Sequence, residues 1–136
     1  MAKVKKINHV AVVVEDMDQA LSFWRDALGM QLQELRDVPA ENSQVAFMPL
    51  EGSEVELVVP TTDDSGIAKF LSGRGPGMHH ICLEVDDIEG MLAQLKDKNV
   101  QLINEEPRLA PDGKKYAFIH PESTQGLLIE LYEILN

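Results

Sequence analysis

In this chain of 136 residues, the side chains whose types and placement allow joint chemistry are two histidines and two glutamates: His9, Glu56, His80 and Glu130. Two imidazoles and two carboxylates form a mixed nitrogen and oxygen donor set. Such a set suits one divalent metal ion, and octahedral geometry would leave two positions open to water or substrate. Cobalt, manganese, nickel, zinc and magnesium are all compatible with it. The glutamates stand in the apolar strings EVELVVP and LIELYE, where a carboxylate is costly to bury unless it is paired or bound to metal. Taken singly, each of the four reads equally well as a packed core histidine or a solvated edge glutamate. Their positions in an internal repeat set them apart.

The repeat relates HVAVVVEDMDQALSFW, from His9, to HICLEVDDIEGMLAQL, from His80, at a constant offset of 71 residues. Histidine falls on histidine, Val14 on Val85, Asp16 on Asp87 and Leu21 on Leu92. The same offset lays Ala46 and Phe47 on Ala117 and Phe118. A three-residue insertion then brings Glu56 onto Glu130. Each half therefore reads as strand, helix, strand, strand, strand.

Local pattern supplies the elements. Valine-rich residues 7 to 14 favour a strand. Asp16 or Asp18 can cap a helix with apolar positions Met17, Ala20, Leu21, Trp24 and Leu28, ended by Gly29. The second half repeats this with Asp86 or Asp87 as cap, then Ile88, Met91, Leu92 and Leu95, and Asn99 as a left-handed terminator. Strand alternation puts Val10, Val12 and Val14, and likewise Ile81, Leu83 and Val85, against the helices. His9, His80, Glu56 and Glu130 then point the other way. The expected organisation is a single domain over 1–136. Module one spans about 5–60, a connecting loop and short helix begun near Ser65 span about 61–77, and module two spans about 78–136.

A formal net charge of −11 opposes binding to nucleic acid or to an anionic membrane, since both need a basic face. Arg74, Arg108, Lys114 and Lys115 lie in loop-like regions and are equally ordinary solvated cations or local contacts for the phosphates of a small ligand. The start MAKVKKINHV lacks the apolar run of a signal peptide, and no segment reaches the length of a bilayer span. A soluble cytoplasmic protein is expected. The single cysteine, Cys82, fits a reducing compartment and reads as a packing residue rather than a nucleophile.

The strings NHVAVVVED, DSGIAKFL, GMHHICLEVDDIE, VQLINEEPR, GKKYAFIHP and GLLIELYE resemble the vicinal oxygen chelate (glyoxalase/bleomycin resistance/dioxygenase) superfamily, and within it the methylmalonyl-CoA epimerase family. The resemblance covers nearly the whole chain. It implies an α+β fold in which two tandem βαβββ modules form a curved mixed sheet around a metal-binding cavity. It also implies that the ligands are His9, Glu56, His80 and Glu130, with His79 excluded by its opposite parity. The implied activity is metal-dependent interconversion of (R)- and (S)-methylmalonyl-CoA by proton transfer at C2 through an enolate. In that family the C-terminal glutamate, here Glu130, also serves in proton transfer. Inversion needs a second acid/base group, and some members carry a glutamate where alignment places Ala46. Gln44 and Met48 share the parity of Ala46, and Glu41 lies in a nearby loop. An acyl-CoA substrate is implied, with Lys114 and Lys115 as candidates for contacting it, and pairing into a homodimer is common among small chains of the superfamily. A lactoylglutathione lyase (glyoxalase I)-like metalloenzyme would share the ligand set. A metal-free binding or resistance module would share only the fold, and a two-histidine, one-carboxylate dioxygenase would leave one carboxylate unexplained.

Overall fold

The computed structural model describes residues 1–135. It divides into two compact units, one of His9–His79 and the other of Met1–Asn8 with the chain from His80 onward. The first few residues of the chain thus belong with its second half. Lys3 donates its backbone N–H to the Asp86 carboxylate, and Lys5 and Asn8 both reach Glu84.

Within His9–His79 the strands are β1 (Val4–Val13, entering the unit at His9), β2 (Glu34–Val38), β3 (Ser43–Leu50) and β4 (Ser53–Pro60), with helices α1 (Met17–Leu21) and α2 (Gly66–Arg74). The sheet order is β2-β3-β4-β1, with β1 parallel to β4 and the other pairs antiparallel. The second unit holds β5 (Gly77–Val85, entering at His80), α3 (Ile88–Asp97), β6 (Arg108–Leu109), β7 (Lys115–Ile119) and β8 (Leu128–Glu133). Its order is β5-β8-β7-β6, again with the first strand parallel to the last and the other pairs antiparallel. Each unit therefore realises the strand, helix, strand, strand, strand order with the same internal topology.

The helix-backed face of each sheet is the apolar one. In the first unit Val12 and Val14 pack with Met17, Ala20, Leu21 and Trp24, and with Ala46, Met48 and Leu57 of β3 and β4. In the second, Leu83 and Val85 pack with Ile88, Met91, Leu92 and Leu95, and with Ala117, Ile119, Ile129 and Leu131. The caps obey the repeat: the Asp16 carboxylate accepts from the Gln19 N–H and the Asp87 carboxylate from the Gly90 N–H. Ser65 likewise caps α2 by accepting from Ala68. Asn99 adopts the left-handed conformation expected of a terminator, with φ of 61°.

One helical expectation is corrected. The segment after α1 is not α-helical, since Ser22–Ala27 winds as a π-helix in which the Leu28 N–H donates to the Phe23 carbonyl, five residues back. The wider turn rotates later side chains out of phase with the 3.6-residue repeat. Leu28, expected on the buried face, is 54% exposed.

Candidate active site

In the first unit, β1 carries His9 and β4 carries Glu56 on adjacent parallel strands, and His9 Nδ1 lies 3.5 Å from a Glu56 carboxylate oxygen. His9 is 3% exposed and Glu56 is partly buried. In the second unit, β5 carries His80 and β8 carries Glu130, again parallel neighbours, and His80 Nε2 lies 3.2 Å from Glu130 Oε1. Glu130 is 6% exposed. Each unit thus presents one histidine and one glutamate on the sheet face opposite its helix, for the reason of strand parity.

Cross-strand register adds an aromatic neighbour to each pair. Phe47 of β3 stands opposite Glu56, and Phe118 of β7 stands opposite Glu130. The Phe118 ring also meets His80 edge-on, with centroids 5.9 Å apart, and Tyr116 meets Phe118 at 6.2 Å. Arg36 covers Phe47, its guanidinium carbon 4.7 Å from the ring centroid. Its Nε and Nη2 donate to the Glu34 carboxylate, and that hydrogen bonding, with the charge of Arg36, holds Glu34 below its usual titration range. These rings make one wall of each histidine and glutamate pair apolar.

His79 belongs to the other unit from His80. Its ring packs against Phe70 of α2, with centroids 5.0 Å apart. Cys82 is fully buried and free of disulfide, opposite Glu130 in the β5–β8 register.

Ala46, where alignment places the glutamate of some family members, lies on the face opposite Glu56. Ala46 pairs with Leu57, is 0% exposed and packs in the helix-backed core with Met48. On β3 the residues that share the face of Glu56 are Ser43, Val45, Phe47 and Pro49. The signal that would have found this is the hairpin turn. Leu50 pairs with Ser53 around Glu51 and Gly52, Gly52 has φ of 81°, and a two-residue turn fixes every later partner. No carboxylate occupies that face of β3, and Glu41 lies in the exposed turn Pro39–Glu41 before the strand.

A further carboxylate on β5 is Glu84. It is a buried carboxylate on the His80 face of β5, paired with Lys5 Nζ at 3.4 Å and accepting a hydrogen bond from the Asn8 amide at 3.3 Å. The cations expected near a ligand separate into distinct settings. Lys115 pairs with Glu89, Lys114 pairs with Asp112 and lies over the Tyr132 ring, and Arg74 lies over Phe70.

Residues 8–118 match the model of the Glyoxalase/Bleomycin resistance protein/Dioxygenase superfamily. The chain is 39% identical over 130 residues to the mitochondrial methylmalonyl-CoA epimerase of Mus musculus, covering 95% of this chain and 73% of that protein. It is 34% identical to the ethylmalonyl-CoA/methylmalonyl-CoA epimerase of Cereibacter sphaeroides, covering 96% of this chain and 99% of the relative. Among solved structures, methylmalonyl-CoA epimerase from Mycobacterium tuberculosis superposes with a TM-score of 0.85 at 32% identity, covering 98% of this chain and 90% of that one. The duplicated strand order, the paired histidine and glutamate of each unit and these likenesses agree: the chain belongs to the glyoxalase/bleomycin resistance/dioxygenase superfamily and, within it, to the methylmalonyl-CoA epimerase family.

Proposed function

We propose that this protein interconverts the (R)- and (S)-epimers of methylmalonyl-CoA by moving the proton at C2, and that His9, Glu56, His80 and Glu130 together hold one divalent metal ion for that reaction. The observation that carries the reading is a repetition. Two units place an imidazole and a carboxylate on neighbouring parallel strands, with a phenylalanine across from each carboxylate. The donor set fits a hard or borderline cation, since it combines two imidazoles with two carboxylates of which Glu130 is almost wholly withdrawn from water. When bound, such an ion supplies Lewis-acid stabilisation of negative charge spread over the thioester and carboxylate oxygens of the substrate.

The chain's own side chains do the rest. Glu130 serves one face of C2, accepting the proton from one epimer and delivering a proton to form that epimer in the reverse direction, while a second group serves the other face; His80 lies 3.2 Å from the Glu130 carboxylate. Phe118, across from Glu130, makes one wall of that base apolar, and a proton held on Glu130 exchanges with solvent between turnovers, so that deuterium reaches C2 in deuterated water. The opposite face of C2 is served from outside β3, whose residues on the Glu56 face are Ser43, Val45, Phe47 and Pro49.

The experiment is incubation with methylmalonyl-CoA in deuterated water, followed by mass spectrometry of C2, beside a parallel incubation with methylglyoxal and glutathione. Metal-dependent exchange in the first and no product in the second is the expected result. The converse would replace the reading with a glyoxalase. Two further parts of the proposal are placement in the reducing cytoplasm, supported by a buried cysteine without a disulfide, and a homodimer, supported by the exposed apolar Ile134 and Leu135 beyond β8. No helix among the described residues is long and apolar enough to cross a membrane. A monomer in light scattering across the micromolar range would contradict the dimer.

A further inference from the structure

Glu84 is a buried carboxylate outside the proposed ligand set, although it stands on β5 in the same strand as His80 and on the same face. Burying such a group is costly unless its oxygens are met by donors. They are met separately, Oε2 by Lys5 Nζ at 3.4 Å and Oε1 by the Asn8 side-chain amide at 3.3 Å. The two partners differ in kind. The Lys5 side chain is 55% exposed, so water screens that ion pair, whereas Asn8 is partly buried and its amide donates to a charged acceptor.

Asn8 is joined by one peptide bond to His9, which is 3% exposed and belongs to the proposed ligand set. A carboxylate on the strand of one ligand histidine thus grips the residue before the other, across 76 positions of sequence. Other ties of the N-terminal segment lie farther along the chain from His9. The Ala2 N–H donates to Gln94 Oε1 at 2.7 Å, and the Lys3 N–H donates to Asp86 Oδ1 at 2.9 Å. The tie between Asn8 and Glu84 is the one that bears directly on His9. Metal affinity depends on how firmly each ligand is held before the ion arrives. We infer that Glu84, acting through Asn8, is a positioning residue: it fixes β1 one residue ahead of His9, so that the imidazole is in place before the ion binds. The inference rests on the proposed metal set and adds to it a residue that needs no contact with the ion.

The test uses the full chain and cobalt(II) as the probe ion. Affinity is measured by competition with a chelator, and the visible absorption of bound cobalt reports ligand geometry. Glu84→Ala and Asn8→Ala should each lower cobalt affinity by about 10–100-fold and alter the visible bands. The double variant should lose no more than either single one, because both remove the same hydrogen bond. Glu84→Gln, which keeps an acceptor for the Asn8 amide, should recover most of the affinity. Gln94→Ala, which loosens the segment at Ala2, should lower the Tm and leave the cobalt affinity and bands at their wild-type values. Should Glu84→Ala not fold, Asn8→Ala beside Glu84→Gln carries the same comparison. Wild-type affinity and bands in the folded Ala variants would overturn the inference, as would a loss of affinity shared by Gln94→Ala, since either marks a role in stability alone. The imidazole resonances of His9 in the metal-free protein should be single and sharp in the wild type and broadened or doubled in Glu84→Ala; identical resonances in the two would also overturn it. A wild type that binds no cobalt would instead overturn the proposed metal set, and the His9 resonances would still decide whether Glu84 orders that side chain.

Discussion

Glu130 is a buried carboxylate, and a buried carboxylate needs a partner to be tolerable. The imidazole of His80 provides that partner within its own unit, as His9 does for Glu56. Replacing Glu130 by Gln keeps the shape and removes the base. C2 exchange should fall by about 10²–10⁴-fold, measured as deuterium incorporation at saturating substrate, with the folded state intact by circular dichroism. His80→Ala should weaken metal retention as well, which elemental analysis after gel filtration would show as less than the wild-type stoichiometry. The approach of His9 to Glu56 and of His80 to Glu130 was legible in the sequence because each half repeats the pair and because alternation along a strand has a strict period of two. The face of β3 was not, because parity within a strand says nothing about which partner it meets. That depends on the turn at Glu51 and Gly52, and a one-residue difference in register exchanges Ala46 for Val45.

The elements show the same division between what periodicity encodes and what packing decides. Helix α3 follows its 3.6-residue pattern, so Leu92→Ala, at a position 2% exposed, should cost about 2–5 kcal/mol in denaturant unfolding. The helical pattern predicts a comparable loss at Leu28, but the π-helical turn places that side chain in solvent. Leu28→Ala should change stability by no more than about 0.5 kcal/mol. The expectation failed there because the apolar spacing of Trp24 and Leu28 is the same for either winding; the choice lies in backbone hydrogen bonds. Between α3 and β7, Lys115 holds Glu89 by a hydrogen bond at 2.6 Å, which is the main cause that pulls the Glu89 carboxyl below its ordinary range. A carboxylate whose folded pKa is depressed contributes stability above its unfolded pKa and loses it as the pH falls through the folded value. Glu89→Gln should therefore lower the Tm near neutral pH by a small amount, and the difference from wild type should close as the solution is taken through the acid range below the ordinary carboxylate pKa.

For the molecule as a whole, the two-unit organisation and the acidic surface have separate consequences. The net charge of −11 makes nucleic acid an unfavourable partner. Because the proposed ion takes two ligands from each unit, metal binding and folding should be linked. Stripping the ion with a chelator should lower the Tm, and reloading at a hundredfold excess over Kd should restore about 2.7 kcal/mol. A Tm independent of metal would mean that the ion, if bound, is not held by the folded arrangement of both pairs. The most direct test of the central claim is C2 exchange of methylmalonyl-CoA in deuterated water by the metal-loaded protein, the chelated protein and the Glu130→Gln variant side by side. Rapid incorporation of one deuterium by the first alone is the predicted result. Exchange that persists at the wild-type rate in the chelated protein or in the Glu130→Gln variant would contradict it.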